Sequence, residues 1–182
     1  LPPISQMGTG FDIAKTAGLT LLAGRDFSET YQSDWYQTHG DHATAAVIIT
    51  ESLARKAGYN QLQDAIGQQW LLPGDNPVLQ MKVVGVVADI QIGSALKQQE
   101  PLILICGRSP MTYGNILLNL QPEQAFSARS KVQQLLTDRL QRQDLQLSWL
   151  SDDYNAMYQN QQRQTKVIAI FAALAIALTC VG

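Results

Sequence analysis

QMKVVGVV, residues Gln80 to Val87, reads as a strand, and the neighbouring segments arrange themselves around it. Gln68 to Leu72 reads as a second strand, and Pro73-Gly74-Asp75-Asn76-Pro77 between them carries the residues of a turn. The two are therefore expected to pair as a hairpin. Working back toward the N-terminus, Leu62 to Ile66 is a helical turn. Glu51 to Ala57 is a helix with Leu53, Ala54 and Ala57 inward and Thr50 as its cap, and Ala45 to Ile49 (AAVII) is a short buried strand. Ser28 to Thr44 is rich in Ser, Thr, Asp, Gln and His and has no usable period, so it is expected as an exposed loop. Gly24-Arg25-Asp26 turns the chain after a strand at Leu19 to Ala23. Thr9 to Ala17 is expected as a short helix capped by Thr9 and ended by Gly18.

Toward the C-terminus, Leu102 to Ile105 and Asn115 to Leu120 are two further apolar runs, bracketed by Pro101, Gly107, Pro110 and Gly114. Pro122 suits the first turn of a helix running to about Arg142, with Phe126, Val132, Leu135, Leu136 and Leu140 as its inner face. Leu145 to Leu150 alternates as a strand, so residues 115 to 150 are expected as a β-α-β unit. Asp152 or Asp153 caps a last helix carrying Tyr154, Met157 and Tyr158. Nothing to Gly182 breaks it, and it would span about 45 Å at about 1.5 Å per residue.

The chain has 182 residues, 46% of them hydrophobic and only 15% charged, which is enough apolar material for one or two cores and little charge for a purely soluble domain. The charge is concentrated nowhere: with a net charge of -2 and scattered Lys and Arg, there is no footprint for a phosphate backbone, and nucleic acid is not expected as a partner. Two cysteines, Cys106 and Cys180, make no disulfide framework and are expected to be free thiols. VIAIFAALAIALTCVG, Val167 to Gly182, is uncharged and apolar on all sides, which fits a lipid-facing helix better than one buried along a stripe. It is slightly short of the roughly 20 residues a bilayer requires. A chain that opens at Leu1 without Met and stops inside such a run is expected to be a piece of a longer polypeptide. Arg163 and Lys166 precede the run and can snorkel to headgroups, but two charges do not set an orientation.

Chemistry is sparse. No Gly-rich segment leads into Lys and Ser or Thr, so ATP hydrolysis would fall to another chain. Gly8-Thr9-Gly10 starts like a dinucleotide fingerprint, but Ile13 stands where the third glycine belongs. His39-Gly40-Asp41-His42 holds two imidazoles and a carboxylate, fewer than the four ligands of structural zinc, and is read as part of the polar loop. Ser94, Ser109 and Ser130 lack the Gly-x-Ser-x-Gly context of a nucleophile elbow. Asp26, Glu51 and Asp89 are expected to serve turns and caps. No catalytic, cofactor or metal residue is assigned, and the chain is not expected to be an enzyme. Tyr154, Met157, Tyr158 and Gln161 are the candidate stalk or partner contacts, since amphipathic aromatics favour the boundary between water and apolar surface.

Four segments in order resemble the periplasmic core domain of MacB/FtsX-type ABC transporter permeases: GFDIAKTAGLTLLAGRDFS at Gly10 to Ser28, VIITESLARKAGYNQLQDAIGQQW at Val47 to Trp70, KVVGVVADI at Lys82 to Ile90, and the closing Tyr158 to Gly182. The specific element is the spaced combination G-L-x-L-L-x-G-R-x-F, E-x-L-A-R with A-I-G, and V-V-G-V-V-x-D. Thr50 stands where family members often carry Asn, and the loop from Glu29 to Thr44 is long.

The resemblance implies an α+β, two-lobed extracytoplasmic domain. A porter-like α/β lobe would comprise residues 1–18 and 107–151, an inserted strand-rich lobe residues 19–106, and residues 152–182 a stalk helix entering the membrane at about Val167. It implies location at the bacterial inner membrane with this domain periplasmic, and a cytoplasmic ABC ATPase and a second permease subunit as partners. A periplasmic adaptor or a peptide or lipid substrate would be a further contact. The competing reading is a membrane-tethered extracytoplasmic ligand-binding or sensor module, which would need no ATPase.

Overall fold

The computed structural model describes residues 4–72, 78–90, 100–107, 116–121, 123, 125–140, 147–152 and 171. In chain order its regular elements are β1 (Ser5–Thr9), α1 (Ile13–Ala17), β2 (Leu21–Gly24), β3 (Gln37–His39), β4 (His42–Thr50), α2 (Glu51–Lys56), β5 (Gln69–Leu72), β6 (Val78–Val87), β7 (Leu102–Cys106) and α3 (Ala125–Leu140), with 3-10 turns at Gln32–Asp34 and Leu62–Ala65. The chain thus combines a mixed sheet with few helices. Two compact units emerge, one of residues 1–92 with 98–119 and one of residues 93–97 with 120–182.

In the first unit the sheet runs β1-β7-β4-β6-β2, with β3 alongside β4 and β5 alongside β6. β4 and β6 pair in parallel, so the chain between them must cross over. It does so through α2, the turn at Leu62–Ala65 and β5, which then folds back on β6 as the expected hairpin. β6 shows how the sequence sets its surroundings. From Val78 to Val83 the residues alternate: Leu79, Met81 and Val83 are buried, while Val78, Gln80 and Lys82 are exposed. From Val83 to Val87 every residue is buried, as an unbroken apolar run in a sheet covered on both faces should be.

A bulge makes that change possible. Val47 pairs with Val83 but Ile48 with Gly85, so Val84 is an extra residue and the facing of side chains reverses there. Val83 and Val86 join one core with Val47, Ile49, Leu53 and Ala65, under α2 and its following turn. Val84 and Val87 join a second core on the opposite face with Ala14, Phe27, Ile48 and Leu104. Each such side chain contributes about 1.5–3 kcal/mol by leaving water.

Several expectations are corrected. Thr9 does not cap a helix: it ends β1, and α1 begins after Asp12, whose φ of 53° turns the chain. Gly18 does end α1, at φ 67°. Ser28 to Thr44 is not a loose loop but holds a 3-10 turn, β3 and the start of β4. Ala57, expected inward, is exposed because α2 stops one residue earlier. β1 pairs in parallel with β7, which puts residues 5–9 in the same sheet as β2 to β7, whereas the resemblance groups residues 1–18 with 107–151.

In the second unit α3 forms within the predicted helix, and Arg129 ties it to residues 147–149 by donating to the Leu147 carbonyl at 3.1 Å and lying 5.9 Å from the Trp149 ring. The inner face is only partly covered: Val132 and Leu136 are half-buried and Leu135 is exposed. Residues 116–120, of which 116–119 belong to the first unit, form no strand, and Ile116, Leu117 and Leu118 are exposed. Residues 147–149 are likewise not a strand, so the described residues do not contain the expected β-α-β unit. A helical turn already includes Leu150, Ser151 and Asp152, placing Asp152 inside it and not at its cap. No helix among the described residues is long and apolar enough to cross a membrane. The run from Val167 to Gly182 lies outside the described residues except for Phe171, which is helical and exposed.

Candidate functional site

The residues with the most specific geometry lie where β2 leaves the sheet. Gly24 pairs with Gly85 across the antiparallel β2–β6 ladder. A Cβ on Gly24 would lie 2.3 Å from the Val84 carbonyl oxygen, and one on Gly85 would lie 2.4 Å from the Arg25 carbonyl oxygen. Only paired glycines let the backbones come this close, and Gly24 also takes φ 74°. Arg25 N then donates to the Val84 carbonyl at 2.9 Å, carrying the β2–β6 pairing one residue past Gly24.

This delivers the Arg25 side chain to Asp34. The guanidinium makes a bidentate pair with the carboxylate, Nη2 to Oδ1 at 2.8 Å and Nη1 to Oδ2, while Ser28 N donates to Oδ2 at 3.0 Å. Arg25 also lies 4.0 Å over the Tyr31 ring. Asp34 is fully buried, and Phe27, with no exposed surface, anchors the segment between them in the second core. Asp26 accepts from Lys15 N and Phe27 N, so a carboxylate already occupies the start of α1 where a phosphate would have to bind. Phe11 meets Trp35 edge-on at 4.6 Å.

Burial pushes the Asp34 carboxyl up, but hydrogen bonds from Arg25 and Ser28 and the Arg25 charge outweigh it and hold it below its ordinary value. The pair therefore stabilises the fold above the unfolded carboxyl range, near pH 4, and that stability is lost as pH falls through the lower folded value. Asp34→Ala is expected to cost about 1–3 kcal/mol at pH 7, because Arg25 keeps partial access to water and recovers some solvation. The difference between the two proteins should shrink as pH falls below about 4, which urea denaturation at several pH values would measure.

A second set of fasteners joins α2. Thr50 occupies the N-cap position but makes no side-chain cap bond; its Oγ1 accepts from Leu102 N at 3.0 Å and so staples β4 to the start of β7. The cap comes instead from Asp89, whose Oδ1 accepts from Ser52 N at 2.9 Å. Such caps contribute about 1 kcal/mol. Glu51 pairs with Arg55 one turn on. Asp26, at the turn after β2, and Asp89, as a cap, serve as expected, whereas Glu51, expected at a turn or cap, is held in the helix pair with Arg55. Asp34 is not singled out by the sequence; the available signal is an acid in the stretch after the buried Phe27, followed by Trp35 and Tyr36.

The remaining chemical candidates are dispersed. Cys106 is buried and free, and burial, with the nearby charges of Asp34 and Asp26, pushes its thiol up to about 12, so it behaves as a small apolar group. Ser94 and Ser109 lie outside the described residues, and Ser130 is exposed on α3. Tyr154, Met157, Tyr158 and Gln161, the candidate stalk contacts, and Cys180 also lie outside the described residues. Among the described residues no group of three or more His, Cys, Asp and Glu could hold a metal ion. No family model, curated protein or solved structure matches the chain.

Proposed function

We propose that this chain is an extracytoplasmic domain of an ABC transporter permease subunit of the MacB/FtsX type. In that role it couples ATP hydrolysis by a cytoplasmic partner to export or to mechanical work in the cell envelope. One observation carries the reading: the widely spaced motif residues that resemble that family interlock. Gly24 of the first motif packs on Gly85 of the third, Arg25 N bonds at the bulge of the third, and Asp89 of the third caps the helix formed by the second. Contacts among the three motifs favour reading them as parts of one pattern.

In this reading the chain is not itself an enzyme. Its two lobes stand outside the bacterial inner membrane, and residues 152–182 form a stalk entering the bilayer at about Val167. Tyr154, Met157, Tyr158 and Gln161 lie at the stalk contacts, with a second permease subunit completing the assembly. A periplasmic adaptor or a peptide or lipid substrate is the further partner.

The native polypeptide carrying this sequence, extracted from membranes in mild detergent and affinity-purified, is expected to bring with it a stoichiometric ATPase bearing a Walker motif. The preparation should hydrolyse ATP. Extraction from membranes without any ATPase, under conditions that preserve permease complexes, would instead favour a tethered ligand-binding or sensor module.

A further inference from the structure

β3 and β4 are joined through two residues, Gly40 and Asp41, and this sets His39 directly opposite His42. Gly40 takes φ 57°, the left-handed backbone that two-residue hairpin turns require. The turn is held in place: Val78 N donates to the Asp41 carbonyl at 3.2 Å, and β4 continues into the middle of the sheet. Residues opposite one another in an antiparallel pair project to the same face with Cβ atoms about 4.5–5.5 Å apart. Two imidazoles so placed can each offer one nitrogen to a single ion at about 2.0–2.1 Å. Both histidines are exposed, so an ion has access to them.

Gln37 adds the orienting contact. It lies two residues before His39, on the same face of β3, and its Oε1 is 3.2 Å from His39 Nε2. In the tautomer that donates to this amide oxygen, Nδ1 keeps its lone pair for a metal. Metal-binding histidines are commonly oriented this way, by an acceptor on the other ring nitrogen.

We infer that His39 and His42 form a two-imidazole site for a divalent first-row transition-metal ion, oriented by Gln37, with solvent completing the coordination. Copper(II) binds most tightly and nickel(II) and zinc(II) less so, whereas magnesium, which takes oxygen ligands, does not bind. The site differs from a structural zinc centre, which needs four protein ligands, and it stands independently of the permease reading.

Isothermal titration of the untagged full chain with copper(II), nickel(II), zinc(II) and magnesium chlorides tests it, alongside His39→Ala, His42→Ala and Gln37→Leu. The expected result is one copper ion per chain, no response to magnesium, and loss of saturable one-to-one binding in either histidine variant. Gln37→Leu should weaken binding about tenfold. The histidines flank an exposed turn, so both variants should melt with the wild type in metal-free buffer, which separates lost ligation from lost folding. Absence of copper binding by the wild type, or binding that survives replacement of both histidines, would overturn the assignment.

Discussion

Val86→Asp is expected to abolish the cooperative thermal transition of the first compact unit. Val86 has no exposed surface, pairs with Ala23 on one side and Ile49 on the other, and belongs to a core cluster with no charged member. A carboxylate there would lose its hydration without gaining a cation. The cost is several kcal/mol even after relaxation, on top of the roughly 1.5–3 kcal/mol of lost valine burial. Domains of this size are stable by only about 5–15 kcal/mol, so most or all of that margin disappears. Val87→Asp should behave alike, since Val87 is equally buried in the core on the other face. Val78→Asp is the control, because Val78 opens the same strand at an exposed position and the change should stay within about 0.5 kcal/mol. Near-ultraviolet circular dichroism during a melt distinguishes them, and a wild-type transition in Val86→Asp would refute this account of the core.

The second large effect is expected from a single methyl group. Gly24→Ala must place a Cβ 2.3 Å from the Val84 carbonyl oxygen and 2.7 Å from Ile66 Cδ1, and it must do so at φ 74°. The ring of contacts can give way at the Ile66 side chain but not at the carbonyl, which belongs to the strand backbone. Overpacking costs about 1–3 kcal/mol and the left-handed conformation about 1–2 kcal/mol, so a total of about 2–5 kcal/mol is expected from chemical denaturation. Gly85→Ala meets the same crowding from the Arg25 carbonyl without the torsional penalty and should cost about 1–3 kcal/mol. Gly18→Ala, with open space around the site, should show the torsional part alone. Equal losses at Gly18 and Gly24 would mean that the close approach of β2 and β6 contributes nothing.

The difference between what could and could not be read from residues follows the range of the interactions. β6, β4, α2 and the β5–β6 hairpin are legible because their signals are local: apolar runs, a turn between two strands, a helix start. Which half of β6 is covered on both faces emerges only from the structure. β3 escapes a reading of the sequence because Gln37-Thr38-His39 has no strand character of its own and is a strand only by pairing with β4. Thr50 has the expected position but a different bond, since Leu102 lies 52 residues away in the chain and competes for the same hydroxyl. Thr9 is drawn into a helix on local signals because its partner strand β7 cannot be foreseen from the nine residues that include it.

The fasteners are partly visible as motif letters, without their jobs. Gly24 and Gly85 are ordinary glycines until β2 and β6 are set side by side, and Asp34 looks like one more polar residue in a polar stretch until Arg25 is brought over it. The residues expected at the stalk belong to a segment whose pattern is compositional, and their reading rests on resemblance and on the apolar run alone.

The parallel pairing of β1 with β7 has a consequence for biosynthesis. Ser5 must wait for Leu102 before it has a partner. At roughly 5–20 residues per second, β1 is synthesised about 5–20 seconds before its place in the sheet exists. Throughout that interval its amides and carbonyls can be hydrated or sheltered by a chaperone, while β4, β5 and β6 assemble through shorter loops. Closure of the β1 edge must therefore follow the synthesis of β7, while pairings inside β4 to β6 need shorter waits.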